Sequence, residues 1–295
     1  MFVEAIKKVS EFTRPIYTLT REYGSNLVLP GAATIFFVNE LGCAITCRHV
    51  AQLIVQADPV NTAYNSFKAE VQSLPNSNKR NRKLKELEQK YNYERGRIIQ
   101  LKNLFVNCVS KLDTYEIIMH PALDIAIIKF SSNSNFLYKN YAVFLKDENQ
   151  IEQGRYLCRL GYPFAEFTNY RFSETNDDIE WTNEGQQATP TFPIDGIVTR
   201  HLLGEDGKKM GIEMSTPGLR GQSGGPLFDI SGKVYGMQSM TNHLHLGFDM
   251  KNFDLMINGR STKVSNQPFL HVGLCISVNN IKSFLKENNI KFYEE

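Results

Sequence analysis

The sequence predicts an all-β chain with a helical segment inserted into it, and three stretches carry that prediction. Residues 33–50 read ATIFFVNELGCAITCRHV, two apolar runs joined by the turn composition Asn39-Glu40-Leu41-Gly42. Residues 114–130, TYEIIMHPALDIAIIKF, end on another short β-branched run. Residues 217–239, PGLRGQSGGPLFDISGKVYGMQS, set a glycine-rich turn before two strand-like runs joined through Ile230-Ser231-Gly232.

Taken in order, the start MFVEAIKKVSEFTRPIYTL lacks the apolar core of a secretory leader. No later run approaches the ~20 apolar residues of a membrane span, so no membrane partner is expected. Thr34 to Val38 and Cys43 to Cys47 read as paired strands, the second ending at Arg48-His49. Residues 62–101 change period. Tyr64, Phe67, Val71 and Leu74 recur at helical spacing, Pro75-Asn76-Ser77-Asn78 breaks it, and Leu84, Leu87, Tyr91, Ile98 and Leu101 resume it. Two antiparallel helices are predicted at about 61–101.

The second of them is strongly basic, with Lys79, Arg80, Arg82, Lys83, Lys85 and Lys90 close together. Such a face is either simply solvated or a docking surface for an acidic protein partner. Aromatic interleaving is limited to Tyr91 and Tyr93, so nucleic acid is not expected. Two further insertions are read at Ser173–Gln187, an acidic surface loop, and at Asn242–Gln267, after the strand ending at Ser239.

Within this frame Ser223 is the candidate nucleophile. Gly-Gln-Ser-Gly-Gly fits the elbow of α/β-hydrolases, but an elbow must run straight into a helix. Gly224-Gly225-Pro226 opposes a helix, since glycine costs about 1 and proline about 3 kcal/mol in a helix interior. The turn is strand-to-strand, and its base and acid are sought upstream. His49 follows a strand end. Asp124 sits at the mouth of IAIIKF, where a carboxylate is costly unless paired.

His, Asp and Ser in that chain order, each at a strand edge, resemble the trypsin-like serine proteases: TCRHV the histidine motif, HPALDIAIIKF the aspartate motif, GQSGGPLFD the serine motif. Weaker matches at residues 31–38, 160–164, 196–199 and from Gly273 resemble the bacterial HtrA/Deg-type branch, without a PDZ domain. The resemblance implies two packed six-stranded antiparallel β-barrels with a C-terminal helix. The expected layout is an N-terminal segment 1–27, a first barrel 28–148 carrying His49 and Asp124, a second barrel 149–278 carrying Ser223, and a helix and tail 279–295.

It further implies a serine endopeptidase acting through an acyl-enzyme on protein or peptide substrates, with the backbone N–H groups of Gly221 and Ser223 as oxyanion hole. Ser239 would pair with the substrate backbone. Pro217, Met240 and Val272 would form an apolar primary pocket, favouring cleavage after small or medium apolar residues. Asp249 or Asp254 folding back would instead make it acidic. Gln222 stands where digestive relatives carry an aspartate that pairs with a new N-terminus, so that activation route is not expected. A binding protein on a protease-like fold and an esterase-type hydrolase are the alternatives.

Composition agrees with these expectations. A net charge of +2 points to neither nucleic acid nor membrane as a global partner. Cys43, Cys47, Cys108, Cys158 and Cys275 are odd in number, and Cys43 and Cys47 have no second ligand pair. Reduced cysteines in a cytoplasmic chain, with no metal and no cofactor, are the expectation.

Overall fold

In the computed structural model every residue is described except Ser132, Asp206, Lys208, Asn258 and Gln267; for Ile257 only the backbone is described. The end of the third predicted insertion, Gln267, therefore lies outside the described residues.

Helix α1 (Val3–Ser10) leads into β1 (Thr13–Glu22), followed by β2 (Val28–Phe37) and β3 (Cys43–Thr46). Helices α2 (Arg48–Gln72) and α3 (Arg80–Tyr91) come next, then β4 (Ile98–Phe105), β5 (Tyr115–Met119) and β6 (Ala126–Phe130). These strands form one six-stranded antiparallel sheet in the order β4-β1-β2-β3-β6-β5. Residues 1–27 are thus no separate segment. Tyr17, Leu19 and Arg21 alternate inward along β1 while Thr18, Thr20 and Glu22 are half-buried, and β1 pairs with both β2 and β4.

The helical hairpin is present with different limits. It begins at Arg48, and Ile98 and Leu101, read as helix, lie on β4. Ile99 and Leu101 are buried there, because β4 completes the sheet against β1. Asn61 of α2 donates to the Leu101 carbonyl and accepts from the Leu101 amide, at 2.8 and 3.0 Å, which satisfies the free edge of β4. Tyr64 and Phe67 of α2 and Ile99 of β4 form a small core with Leu84, Leu87 and Tyr91 of α3 packed against it.

The second half comprises β7 (Val143–Phe144), β8 (Tyr156–Gly161), β9 (Tyr170–Ser173), β10 (Asp178–Trp181), β11 (Phe192–Leu203), β12 (Lys209–Met214), β13 (Pro226–Phe228) and β14 (Val234–His245). After these come β15 (Met250–Ile257), β16 (Arg260–Asn266), β17 (Phe269–Ser277), α4 (Val278–Glu287) and β18 (Tyr293–Glu294). Strand β13 pairs with both β8 and β14, so β13-β8-β11-β12-β17-β14 closes into a six-stranded barrel, with β7 and β18 added outside β14. One continuous apolar core spans both halves, from Phe36 and Ile45 to Leu160 and Phe228. Helix α4 buries Val278, Ile281, Phe284 and Leu285, a stripe at three- and four-residue spacing.

The segment Ser173–Gln187 is more than a surface loop. Strands β9 and β10 pair, and Asp177 between them accepts from buried Arg21 at 2.7 Å and from Tyr64 at 2.7 Å. Asp178 accepts from Lys102 at 2.7 Å. This acidic turn ties the second half to the inserted helices. The third insertion is a two-stranded arm, β15 paired with β16.

Candidate active site

Strand β3 ends at Thr46, Cys47 is extended, and α2 begins at Arg48, so His49 lies in the first turn of a helix. First-turn amides have no partner within their own helix. The His49 amide donates to Asp124 Oδ1 at 3.0 Å, and its Nδ1 lies 3.0 Å from both carboxylate oxygens. Asp124 therefore holds the helix start and the imidazole together. The turn that presents it is fixed by His120, whose Nδ1 accepts from the Ala122 and Leu123 amides at 3.0 and 2.8 Å.

A third donor reaches Asp124 from the other barrel: Ser239 Oγ gives a hydrogen bond to Oδ2 at 2.5 Å. Burial pushes the Asp124 carboxyl up, but the hydrogen bonds from His49 and Ser239 outweigh it and leave the group below its ordinary value. The His49 side chain is 49% exposed against 19% for Asp124, so the imidazole faces the cleft and the carboxylate stands behind it.

The serine loop is shaped by glycine. Gly221 and Gly224 have φ of +95° and +86°, and a Cβ on them would fall 2.2 Å from Tyr162 O and 2.1 Å from Thr34 O. Only glycine fits that approach. Thr34 of β2 clamps the loop from the first barrel: its hydroxyl donates to Gly221 O at 2.7 Å and its amide to Ser223 O at 3.0 Å. Gln222 is buried, accepts from the Leu219 amide at 3.1 Å and donates to Phe192 O at 3.0 Å. An amide side chain thus fastens the loop from within.

Among the described residues the Gly221 and Ser223 amides have no hydrogen-bond partner. The Ser223 hydroxyl donates to the Ser239 carbonyl at 3.2 Å. His49 and Ser223 both line two adjoining pockets, of about 590 and about 810 Å³.

Pro217, Ser239 and Met240 line the smaller pocket, as the sequence led one to expect, but Val272 does not. It is buried, and its neighbour His271 lines the wall with His243. β14 and β17 continue paired through Asn242↔Val272 and His243↔His271, so alternation along the strand sends Val272 inward and His271 to the cleft. Arg220, Gln238, Thr241, His243 and His271 share this pocket with Pro217, Leu219 and Met240. Asp249 and Asp254 do not line it. Asp249 pairs with His245 at 2.8 Å, and Asp254 lies on the β15–β16 arm. The larger pocket is mostly apolar, walled by Leu29, Pro30, Ala33, Val50, Leu53 and Phe164. Val50 and Leu53 belong to α2, so the inserted helix forms part of the cleft.

Sequence reading missed Thr34, the bond from Ser239 to Asp124, and Arg159, which is buried on β8 and donates to Gln238 and Thr216. A threonine or arginine inside an apolar strand is an available signal, but its partners are remote in sequence. Cys47, His49 and Asp124 also bring donor atoms within 4.8 Å of one another. Burial, with the Asp124 charge beside it, holds the Cys47 thiol protonated, which makes this a poor metal site. All five cysteines are free and buried. No described helix is long and apolar enough to cross a membrane.

The family model for the trypsin-like peptidase domain matches residues 33–237. Among solved structures, the HtrA-type protease AlgW with a decapeptide is similar at a TM-score of 0.50 and 13% identity, over 97% of this chain and 67% of that one. A variant of the same protease with a tripeptide gives 0.48 and 12%, over 97% and 63%. This chain thus spans less than two thirds of that second relative. At such identity the first of these likenesses speaks for the fold alone. No curated protein matches.

Proposed function

Because the chain belongs to the trypsin-like peptidase domain family, we propose that it is a serine endopeptidase with Ser223 as nucleophile. One observation carries this reading: Asp124 takes Nδ1 of His49, and that imidazole lines two pockets with Ser223, the larger of them also lined by Gly221, whose amide like that of Ser223 is unpartnered among the described residues. In this reading the Ser223 hydroxyl leaves the Ser239 carbonyl and donates to His49, which lines the same pockets. Contacts of this kind are commonly loose before substrate binds.

His49 then accepts the serine proton as Oγ attacks the peptide carbonyl, and returns it to the leaving amine. Asp124 stabilises the imidazolium between the two transfers. The Gly221 and Ser223 amides receive the negative charge that develops on the carbonyl oxygen. Water, deprotonated by His49, cleaves the acyl-enzyme. Ser239 to Thr241 pair with the substrate backbone in this scheme, which gives the smaller pocket to the residue before the cut and the apolar one to residues after it.

The test is labelling by a fluorophosphonate, followed by mass-spectrometric reading of a cleaved peptide library. Wild type should be labelled and Ser223→Ala should not. Equal labelling of both would refute Ser223 as nucleophile, and labelling without any peptide cleavage would favour an esterase.

Two further expectations stay with this reading. Free, buried cysteines support a cytoplasmic setting. For the basic hairpin, an acidic protein partner is proposed only at exposed Lys79, Lys83 and Lys85, since Lys90 pairs with Glu70 and Arg82 with Glu86.

A further inference from the structure

We propose, resting on the serine-peptidase reading above, that the pocket beside Ser223 selects a carboxylate side chain, so that the enzyme cuts after glutamate or aspartate. The inference starts from charge. Among the described residues no aspartate or glutamate lines either pocket, while Arg220, His243 and His271 line the one that takes the residue before the cut. His243 Nδ1 and His271 Nδ1 lie 2.6 Å apart, so one ring donates and the other accepts. The accepting ring must then carry its own proton on Nε2. Neither Nε2 has a partner among the described residues. Each ring thus keeps an Nε2 available to an incoming side chain, one of them as an N–H donor.

Beneath the floor lies a second positive charge. Arg159 of β8 is fully buried, and among the described residues its guanidinium is bonded only to neutral groups: Gln238 Oε1 at 2.6 Å, Thr216 O at 2.9 Å and Thr216 Oγ1 at 2.5 Å. Its Nε has no partner. Thr216 immediately precedes Pro217, and Gln238 itself lines the pocket, so the guanidinium sits one layer below the lining. A Cβ at Gly273 would fall 2.1 Å from Arg159 Nη1, which shows how tightly β17 closes over it. Burial pulls the Arg159 pKa down, and the nearby thiols of Cys158 and Cys275 are held protonated, pushed up to about 12 and about 11. A buried guanidinium without a counter-ion is an unusual expense for a fold. An incoming carboxylate would supply the missing negative charge from the pocket side.

Peptidyl diphenyl phosphonates that differ only in the terminal side chain test this directly. Ser223 Oγ bonds to phosphorus and phenol leaves with the proton, so the labelling rate reports the pocket without turnover. The glutamate phosphonate should label wild type about tenfold to a hundredfold faster than its leucine or lysine counterparts, the range expected for one or two charged hydrogen bonds. His271→Leu and His243→Leu should each lower the glutamate-to-leucine rate ratio about tenfold. Arg159→Lys should keep the preference and Arg159→Met lose it; if the methionine variant does not fold, the histidine variants decide. Faster labelling by the leucine or lysine phosphonate, with fluorophosphonate still marking Ser223, overturns this proposal and leaves the peptidase reading intact. Absence of fluorophosphonate labelling overturns the peptidase reading, and this proposal with it.

Discussion

The two halves of the proposed catalytic constellation are held by different physics. His49 and Asp124 are fixed by side-chain hydrogen bonds: the carboxylate collects the His49 amide, the His49 ring and the Ser239 hydroxyl. Ser223 is fixed mostly through backbone groups, with the Thr34 hydroxyl and the Gln222 amide as side-chain fasteners. Its carbonyl receives the Thr34 amide, the Gly224 amide donates to Gln238 O at 2.9 Å, and Gly221 and Gly224 take φ values that side chains avoid. A half made of side-chain bonds can be weakened in steps. A half made of close backbone approach has little room to yield, because any added Cβ meets a carbonyl. The acid–base pair is thus the tunable part and the nucleophile loop the rigid part.

Substitutions can break that contrast, beginning with the acid. Asp124→Asn should lower kcat on a cleaved peptide by about 10⁴, by analogy with the Ser–His–Asp template, while melting stays cooperative. Near-normal turnover in steady-state assays would remove Asp124 from the mechanism.

Next comes the loop. Gly224→Ala places a methyl 2.1 Å from Thr34 O at a φ of +86°, and chemical denaturation should show a loss of about 2–5 kcal/mol. A variant as stable as wild type would mean that the loop is not rigid.

Thr34→Val is a milder break, since it removes the donor to Gly221 O and the acceptor for the Tyr162 amide but keeps the shape. A loss of about 1–3 kcal/mol is expected. Fluorophosphonate labelling should slow with it, because the Gly221 amide is no longer aimed. Unchanged labelling at reduced stability would separate the clamp from the oxyanion site.

The smallest effect is expected for Ser239→Ala. It removes one of the bonds to Asp124 and leaves those from His49, so kcat should fall only about tenfold. The same change raises the Asp124 pKa toward its unfolded value. Stability from the depressed carboxyl is full above the ordinary aspartate value of ~3.9 and is lost as pH falls through the lower native value. Acid titration of stability should therefore be shallower below pH ~4 in the variant than in wild type.

The legible parts of the molecule were the local ones. The strand-to-strand serine turn, the apolar runs after Asn39-Glu40-Leu41-Gly42 and Asp124, and the helical spacing of Tyr64, Phe67 and Val71 are each written in a few adjacent residues. The start of α2 was not legible. Pro59 lies inside the helix, where proline costs about 3 kcal/mol, and only packing of Val50, Ala51 and Ile54 shows that the helix runs through it. Strand β4 was hidden for a related reason: Ile98 and Leu101 fit a helical period, and β1, about eighty residues upstream, makes them strand.

By itself the sequence determined the order of the candidate residues, histidine then aspartate then serine, and the glycines without which the serine loop could not form. Tertiary structure alone decided what surrounds them. Alternation on the paired strands β14 and β17 turned His271 rather than Val272 toward the cleft. Closure of the second barrel set Arg159 under its floor, 57 residues from Thr216 in the chain, and brought Ser239 within 2.5 Å of Asp124 from 115 residues away. Turn chemistry and period are properties of neighbours along the chain, whereas the charge of a pocket is a sum over residues that only folding makes neighbours.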